Sequence, residues 1–297
     1  MTRYQARVAS SERHVLAEGP VRTSATGVLW VDVVRGHVFR GEIVGDRISR
    51  TVRLDFAGMV GAAVPGPGAV LLVAAQESLV VVDGDGRRAH GPRVVPADDG
   101  RRTNDGAVDP SGRFLIGTLP LDDRSGAETL VRVEDDGSST VIDDDLSLSN
   151  GLAWSPDGST LYSTDTVPGI VWARPYDPRS GVVGPRHVHL HVTDGYPDGI
   201  CVDTDDHVWV AVWGAGEVRR YAPDGRVTDT VAVPAPHVSS VAFVGPHHDR
   251  LLITTASRDL SADELARHPD AGRLFLVDVP ARGVPTTPWN AAWATAS

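Results

Sequence analysis

The sequence predicts an all-β chain closed into a six-bladed β-propeller, and three observations carry that expectation. Strand-like apolar runs bounded by turn residues follow one another along the chain, with a single short amphipathic helical pattern at residues 261–267. Six strand–turn–strand units start near residues 28, 69, 113, 160, 207 and 250, at intervals of 41, 44, 47, 47 and 43. Such intervals match the ~40–50 residues of a four-stranded propeller blade. A similar phrase also recurs ahead of the units: a polar residue beside glycine, then an apolar segment and a turn. It reads Glu18-Gly19-Pro20, Asn104-Asp105-Gly106-Ala107-Val108, Ser149-Asn150-Gly151-Leu152-Ala153-Trp154 and Asp198-Gly199-Ile200-Cys201-Val202. A two-sheet sandwich also alternates strands and turns, but it gives no reason for even spacing with a repeated phrase.

In chain order, the units pair residues 28–33 with 37–40, 69–74 with 78–82, and 113–118 with 129–133. The remaining three pair 160–164 with 169–173, 207–212 with 217–221, and 250–255 with 273–277. Residues 5–15 are expected to pair with the C-terminal strands, closing the ring and leaving no long edge exposed. Pro110-Ser111-Gly112, Pro156-Asp157-Gly158 and Pro223-Asp224-Gly225 are turn connections, in which proline presets one dihedral and glycine accepts a positive φ. Residues 1–297 therefore read as one repeat domain.

Composition narrows the function. A net charge of −11 argues against nucleic acid or an anionic membrane as partner and is compatible with cation binding. All 28 basic residues are arginine, so a lysine Schiff base and a lysine-type phosphate loop are excluded. The single cysteine, Cys201, cannot form an intrachain disulfide and reads as a buried, inert thiol. No run approaches the ~18 apolar residues of a membrane span, and the N-terminus lacks an apolar signal region. The expectation is a cytoplasmic protein, monomeric or weakly dimeric, that acts on a small molecule.

If the repeated phrases are equivalent strands of a closed ring, their first residues meet near its axis. Counting back about ten residues from each unit start reaches Glu18, Met59, Asn104 or Asp105, Asn150, Asp198 and Ser240. Carboxylate and amide oxygens suit a hard cation: Ca²⁺ foremost, with Mg²⁺ or Mn²⁺ as alternatives and Zn²⁺ tolerated. Water and substrate would complete the shell, leaving open positions for catalysis.

These residues also carry a family resemblance. Glu18-Gly19-Pro20, Arg102-Thr103-Asn104-Asp105-Gly106 with Asp109-Pro110-Ser111-Gly112-Arg113 and Gly117-Thr118, Ser149-Asn150-Gly151-Leu152, and Pro197-Asp198-Gly199-Ile200 resemble the gluconolactonase/regucalcin family across nearly the whole chain. Many members of that family are metal-dependent sugar-lactone hydrolases built as six-bladed propellers. The resemblance implies Glu18, Asn150 and Asp198 as ligands of a divalent ion, with Asp198 also the catalytic acid/base. It implies Arg102 and Asn104 as substrate contacts, and its acidic contact after Gly117-Thr118 falls on Asp122, where a longer glutamate can stand. Repeat arithmetic slightly favours Asp105 over Asn104 as the axial residue; the resemblance favours Asn104.

Two positions depart from the family pattern. Arg22 stands where many members have tryptophan, and His237-Val238-Ser239-Ser240-Val241 replaces a small polar and cysteine phrase. Trp213, Tyr196 and His237 fall in or beside loops expected at the mouth. Alternatives to a lactonase are therefore a relative acting on another electrophile, and a calcium- or small-molecule-binding propeller without turnover. His187-Val188-His189-Leu190-His191 reads as a surface strand, and no phrase supplies a nucleotide loop or a serine nucleophile.

Overall fold

The computed structural model describes residues 1–122 and 126–294 and arranges them as six sheets around a common axis. Each sheet meanders outward from an innermost strand. The first blade runs through Ala17–Arg22, Gly27–Asp32, His37–Val44 and Arg47–Asp55, the second through Val60–Pro65, Leu71–Ala75, Ser78–Val82 and Arg88–Arg93. The third takes Arg101–Val108, Phe114–Pro120, Glu128–Val133 and Ser139–Leu146, the fourth Ser149–Trp154, Thr160–Asp165, Ile170–Pro175 and His187–His191. Tyr196–Val202, Val208–Trp213, Glu217–Tyr221 and Val227–Ala232 form the fifth, and Val238–Val244, Arg250–Thr255 and Phe275–Asp278 lead the sixth. The second strands begin within two residues of the starts expected from spacing.

Burial explains the sequence pattern. Inner strands pack between neighbouring blades, so both faces are covered and apolar residues run almost without interruption; Gly27–Asp32 is buried throughout. Outer strands alternate or are polar, as in Arg47–Asp55. The core lies between the blades. Leu29, Val31 and Val38 of the first pack with Ala63, Leu71 and Val73 of the second, and Phe114 and Ile116 of the third pack with Ala62 and Leu72.

Closure uses two short N-terminal strands. Arg7–Val8 pairs antiparallel with Phe275–Asp278 as the outermost strand of the sixth blade, and Thr2–Gln5 runs parallel to Val227–Ala232 as a fifth strand on the fifth blade. Pairing with the C-terminal strands thus falls on residues 7–8, near the start of the expected 5–15 stretch, and a neighbouring blade is clamped as well. The C-terminal segment crosses the opposite end of the ring from the innermost-strand starts. Val284 N–H donates to Val202 O, Trp289 N–H to Pro65 O and Asn290 N–H to Gly112 O, tying the fifth, second and third blades together.

The helix Ala262–Arg267 lies in the long connection, residues 256–274, between the second and third strands of the sixth blade. Ser261 and Glu264 form a reciprocal capping box at its start, with Asp263 and Glu264 in the first turn and Arg267 in the last.

Candidate functional site

Every innermost strand carries a register irregularity near its first residues: between Glu18 and Val21, Val60 and Ala62, Thr103 and Gly106, Asn150 and Leu152, Pro197 and Ile200, and Val238 and Ser240. A bulge adds a residue to one strand and re-aims its side chain. Repeated six times around an axis, it turns polar side chains inward at one end of the ring. Glycine follows because neighbouring inner strands approach closely there. A Cβ on Gly151 would lie 2.5 Å from Asp198 O, and one on Gly199 would collide with the Ser240 hydroxyl.

Five of the six candidates converge. Glu18, Arg102, Asn104, Asn150 and Asp198 are all buried, each at most 8% exposed. Arg102 Nη1 donates to Asn104 Oδ1 at 2.8 Å and to Thr103 O at 2.9 Å. Asn104 Nδ2 donates to Ser149 O at 2.8 Å and to Asn150 Oδ1 at 3.1 Å, and Asn150 Nδ2 donates to Thr166 Oγ1 at 3.0 Å. Asp122, by contrast, is exposed, in the connection after Phe114–Pro120 at the same end of the ring.

The electrostatics are those of unneutralised acid. Burial, then the charge of Asp105, holds the Glu18 carboxyl well above the usual carboxylate range, with Arg102 pulling it back. Asp198 is raised by burial, then by Glu18 and Asp105. Asp105 is pushed up to about 6 by burial, against the Gly106 N–H. Of the third phrase, Asn104 joins the hydrogen-bond chain, and Asp105 adds its charge to the carboxylate pair. Burial lowers Arg102 to about 10, as does the guanidinium of Arg258, against Glu18 and Asp198.

Two anchors escape sequence reasoning. Asp32, at the end of a second strand, accepts from Val15 N–H at 3.0 Å and Leu16 N–H at 3.2 Å, fixing the chain just ahead of Glu18. Asp165 does the same for Ser147 and Leu148, just ahead of Asn150. Burial opposes the Asp32 charge, yet the hydrogen bonds from His14, Val15 and Leu16 prevail and its pKa is lowered. The findable signal is positional: Val31-Asp32-Val33 and Thr164-Asp165-Thr166 both set aspartate at a second-strand end.

At the mouth, Trp213 and His237 stack with ring centroids 4.2 Å apart, and Tyr196 stands half exposed. A cavity of about 430 Å³ occupies the axis below, lined by Asp105, Leu152, Ile200, Val241 and residues 284–287 of the crossing segment. Cys201, expected as a buried, inert thiol, also faces it and is half-buried, and desolvation raises its thiol pKa well above the ordinary value.

Among the described residues, no group of three or more His, Cys, Asp or Glu side chains is placed to hold a metal ion. The oxygens present nonetheless suit a hard cation. Asp198 Oδ1 is buried without a hydrogen-bond partner, and Glu18 and Asp198 crowd two carboxyls against the opposing charge of Arg102.

A family model for the SMP-30/gluconolactonase/LRE-like region matches residues 16–257. A pentonolactonase of Haloferax volcanii is 34% identical over 280 residues, covering 91% of this chain and 93% of that protein. A 6-deoxy-6-sulfogluconolactonase of Pseudomonas putida is 34% identical over 273 residues, covering 89% of this chain and 91% of that protein. The crystal structure of a calcium-binding protein, regucalcin, from Agrobacterium tumefaciens aligns with a TM-score of 0.91 at 27% identity, over 97% of this chain and 98% of that one. With its six blades and the matched span together, this chain belongs to the SMP-30/gluconolactonase/LRE-like family.

Proposed function

We propose that this chain, as one domain, hydrolyses a sugar lactone or related small lactone at the Glu18–Asn150–Asp198 site and depends on a divalent cation, Ca²⁺ foremost. The observation that carries the reading is Asp198 Oδ1, buried, unpartnered and crowded by Glu18 in a chain whose relatives include lactonases. Glu18, Asn150 and Asp198 would hold the cation, which when bound supplies polarisation of the lactone carbonyl.

The chain's own residues do the rest. Burial and the charge of Glu18 raise the Asp198 carboxyl above the usual carboxylate range, the direction in which a carboxylate becomes a better proton acceptor. Asp198 takes a proton from the attacking water as the water oxygen bonds to the carbonyl carbon. It returns that proton to the ring oxygen as the carbon–oxygen bond breaks, leaving a hydroxy acid. Arg102, fixed by Asn104 and Thr103, presents its guanidinium to substrate oxygens, and Asn104 holds Asn150 in the orientation its own amide needs. Asp122, exposed just after Phe114–Pro120, would accept hydrogen bonds from substrate hydroxyls.

The test is proton release from five- and six-membered sugar lactones by metal-stripped protein, before and after adding Ca²⁺, Mn²⁺, Mg²⁺ or Zn²⁺. Hydrolysis restored by a cation is expected. A cation that binds without accelerating any lactone would leave a binding propeller, a reading supported by the likeness to a calcium-binding regucalcin.

A further inference from the structure

The hydrogen bonds through Asn150 form one directed chain, and its far end has no role in the lactone reading. Arg102 Nη1 donates to Asn104 Oδ1 at 2.8 Å, Asn104 Nδ2 to Asn150 Oδ1 at 3.1 Å, and Asn150 Nδ2 to Thr166 Oγ1 at 3.0 Å. Thr166 then donates its hydroxyl proton to Pro197 O at 2.9 Å. The chain crosses from the third blade through the fourth to the fifth and stops one residue ahead of Asp198.

Its two ends fix its direction. A guanidinium only donates and a carbonyl only accepts, so the amides and the hydroxyl between them have a single orientation that keeps every bond. Reversing the Asn150 amide would set its NH2 against the NH2 of Asn104 and draw the Thr166 proton away from Pro197 O. In the orientation present, Asn150 Oδ1 accepts one hydrogen bond and keeps a second lone pair, which is what a hard cation needs from this residue.

Thr166 is itself held in place. It opens the turn after Thr160–Asp165, where its N–H donates to Leu148 O at 3.1 Å and its carbonyl accepts from Gly169 N–H at 3.1 Å. Asp165 beside it accepts from Ser147 and Leu148 N–H, so one residue fixes the backbone ahead of Asn150 and the next fixes the Asn150 amide. The Thr164 hydroxyl, on the same strand, is buried without a partner, so the bonds of Thr166 come from its position and not from the residue type. The geometry points to Thr166 as a positioning residue: its hydroxyl keeps the Asn150 oxygen available to a cation and ties that ligand to the strand carrying Asp198. The inference rests on the proposed cation site. Partners that orient a metal ligand without touching the ion matter by about 10–100-fold in affinity.

The experiment is calorimetry of Ca²⁺ binding to metal-stripped wild type, Thr166→Val, Thr166→Ser and Thr164→Val, with lactone hydrolysis assayed alongside. Thr166→Val keeps nearly the same shape and loses the hydroxyl; it is expected to weaken Ca²⁺ binding by about tenfold or more. Thr166→Ser should recover most of that loss, and Thr164→Val, which breaks no hydrogen bond, should bind as wild type does. Ca²⁺ held as tightly by Thr166→Val as by wild type, or a serine variant no better than valine, overturns the proposal and leaves the lactonase reading standing. If Thr166→Val does not fold, Thr166→Ala replaces it under the same criteria. If Ca²⁺ binds and no lactone opens, the lactonase reading falls and the binding series still decides the role of Thr166. If wild type binds no cation, the cation site falls, and ¹⁵N NMR of the metal-free protein decides whether Thr166 orients Asn150. Faster solvent exchange of the Asn150 side-chain NH2 in Thr166→Val, reversed in Thr166→Ser, supports it; unchanged exchange overturns it.

Discussion

At the scale of single residues, Asp198 is held in a place where its charge is costly until something neutralises it. Replacement with asparagine keeps the shape and removes both charge and proton transfer. Asp198→Asn is expected to lower kcat/KM by about 10²-fold or more and to abolish the cation-induced rise in Tm. The sign of its stability effect follows from the raised pKa. A carboxyl that holds its proton more tightly in the fold than in the unfolded chain penalises folding as pH climbs from the ordinary range near ~4 through the raised value. Metal-free Asp198→Asn should therefore melt above wild type at pH 7 and 8, and the gap should close on acidification. A gap independent of pH would contradict the electrostatic account. For the same reason cation binding should expel protons as pH falls toward the raised value, read as binding enthalpies that differ between buffers of unlike ionisation heat.

At the scale of elements, the site is a product of bulges and of what anchors them. Gly151 is needed because the neighbouring inner strand passes within reach of any Cβ, its nearest atom being Asp198 O at 2.5 Å. Gly151→Ala is expected to cost about 1–3 kcal/mol and, by pushing apart the strands that carry Asn150 and Asp198, to weaken cation binding. A normal Tm would show that the strands yield. Asp32 acts one strand away. Asp32→Ala would strip acceptors from Val15 and Leu16 N–H and cost about 1–3 kcal/mol per buried group left unsatisfied, with weaker cation binding as the second readout because Glu18 follows that segment. The glycines and the polar residues before them were legible as a repeated phrase. Asp32 and Asp165 were not, because an aspartate at a strand end looks like any turn residue until the backbone it caps is located.

At the scale of the whole molecule, ring closure is the vulnerable step. Arg7–Val8 and Thr2–Gln5 cover the outer edges of the sixth and fifth blades with main-chain hydrogen bonds. Deleting residues 1–8 exposes two sheet edges and is expected to lower Tm by about 2 °C or more and to promote edge-to-edge association, seen as concentration-dependent light scattering. The segment crossing the far end of the axis is a second closure, with its own Trp289 only 1% exposed. Together they explain why a ring of short strands can hold acid residues rigidly enough to keep them desolvated.

Spacing and alternation alone determined the class, the six units and the residues that share a register, because strand period and turn chemistry are local properties of the chain. They could not decide between Asn104 and Asp105, since adjacent residues on a strand point to opposite faces and a bulge between Thr103 and Gly106 alters that rule. Nor could they place Asp122 outside the buried set or show that Asp198 Oδ1 lacks a partner. Those facts concern distance and desolvation between residues far apart in sequence, and only the closed ring sets them.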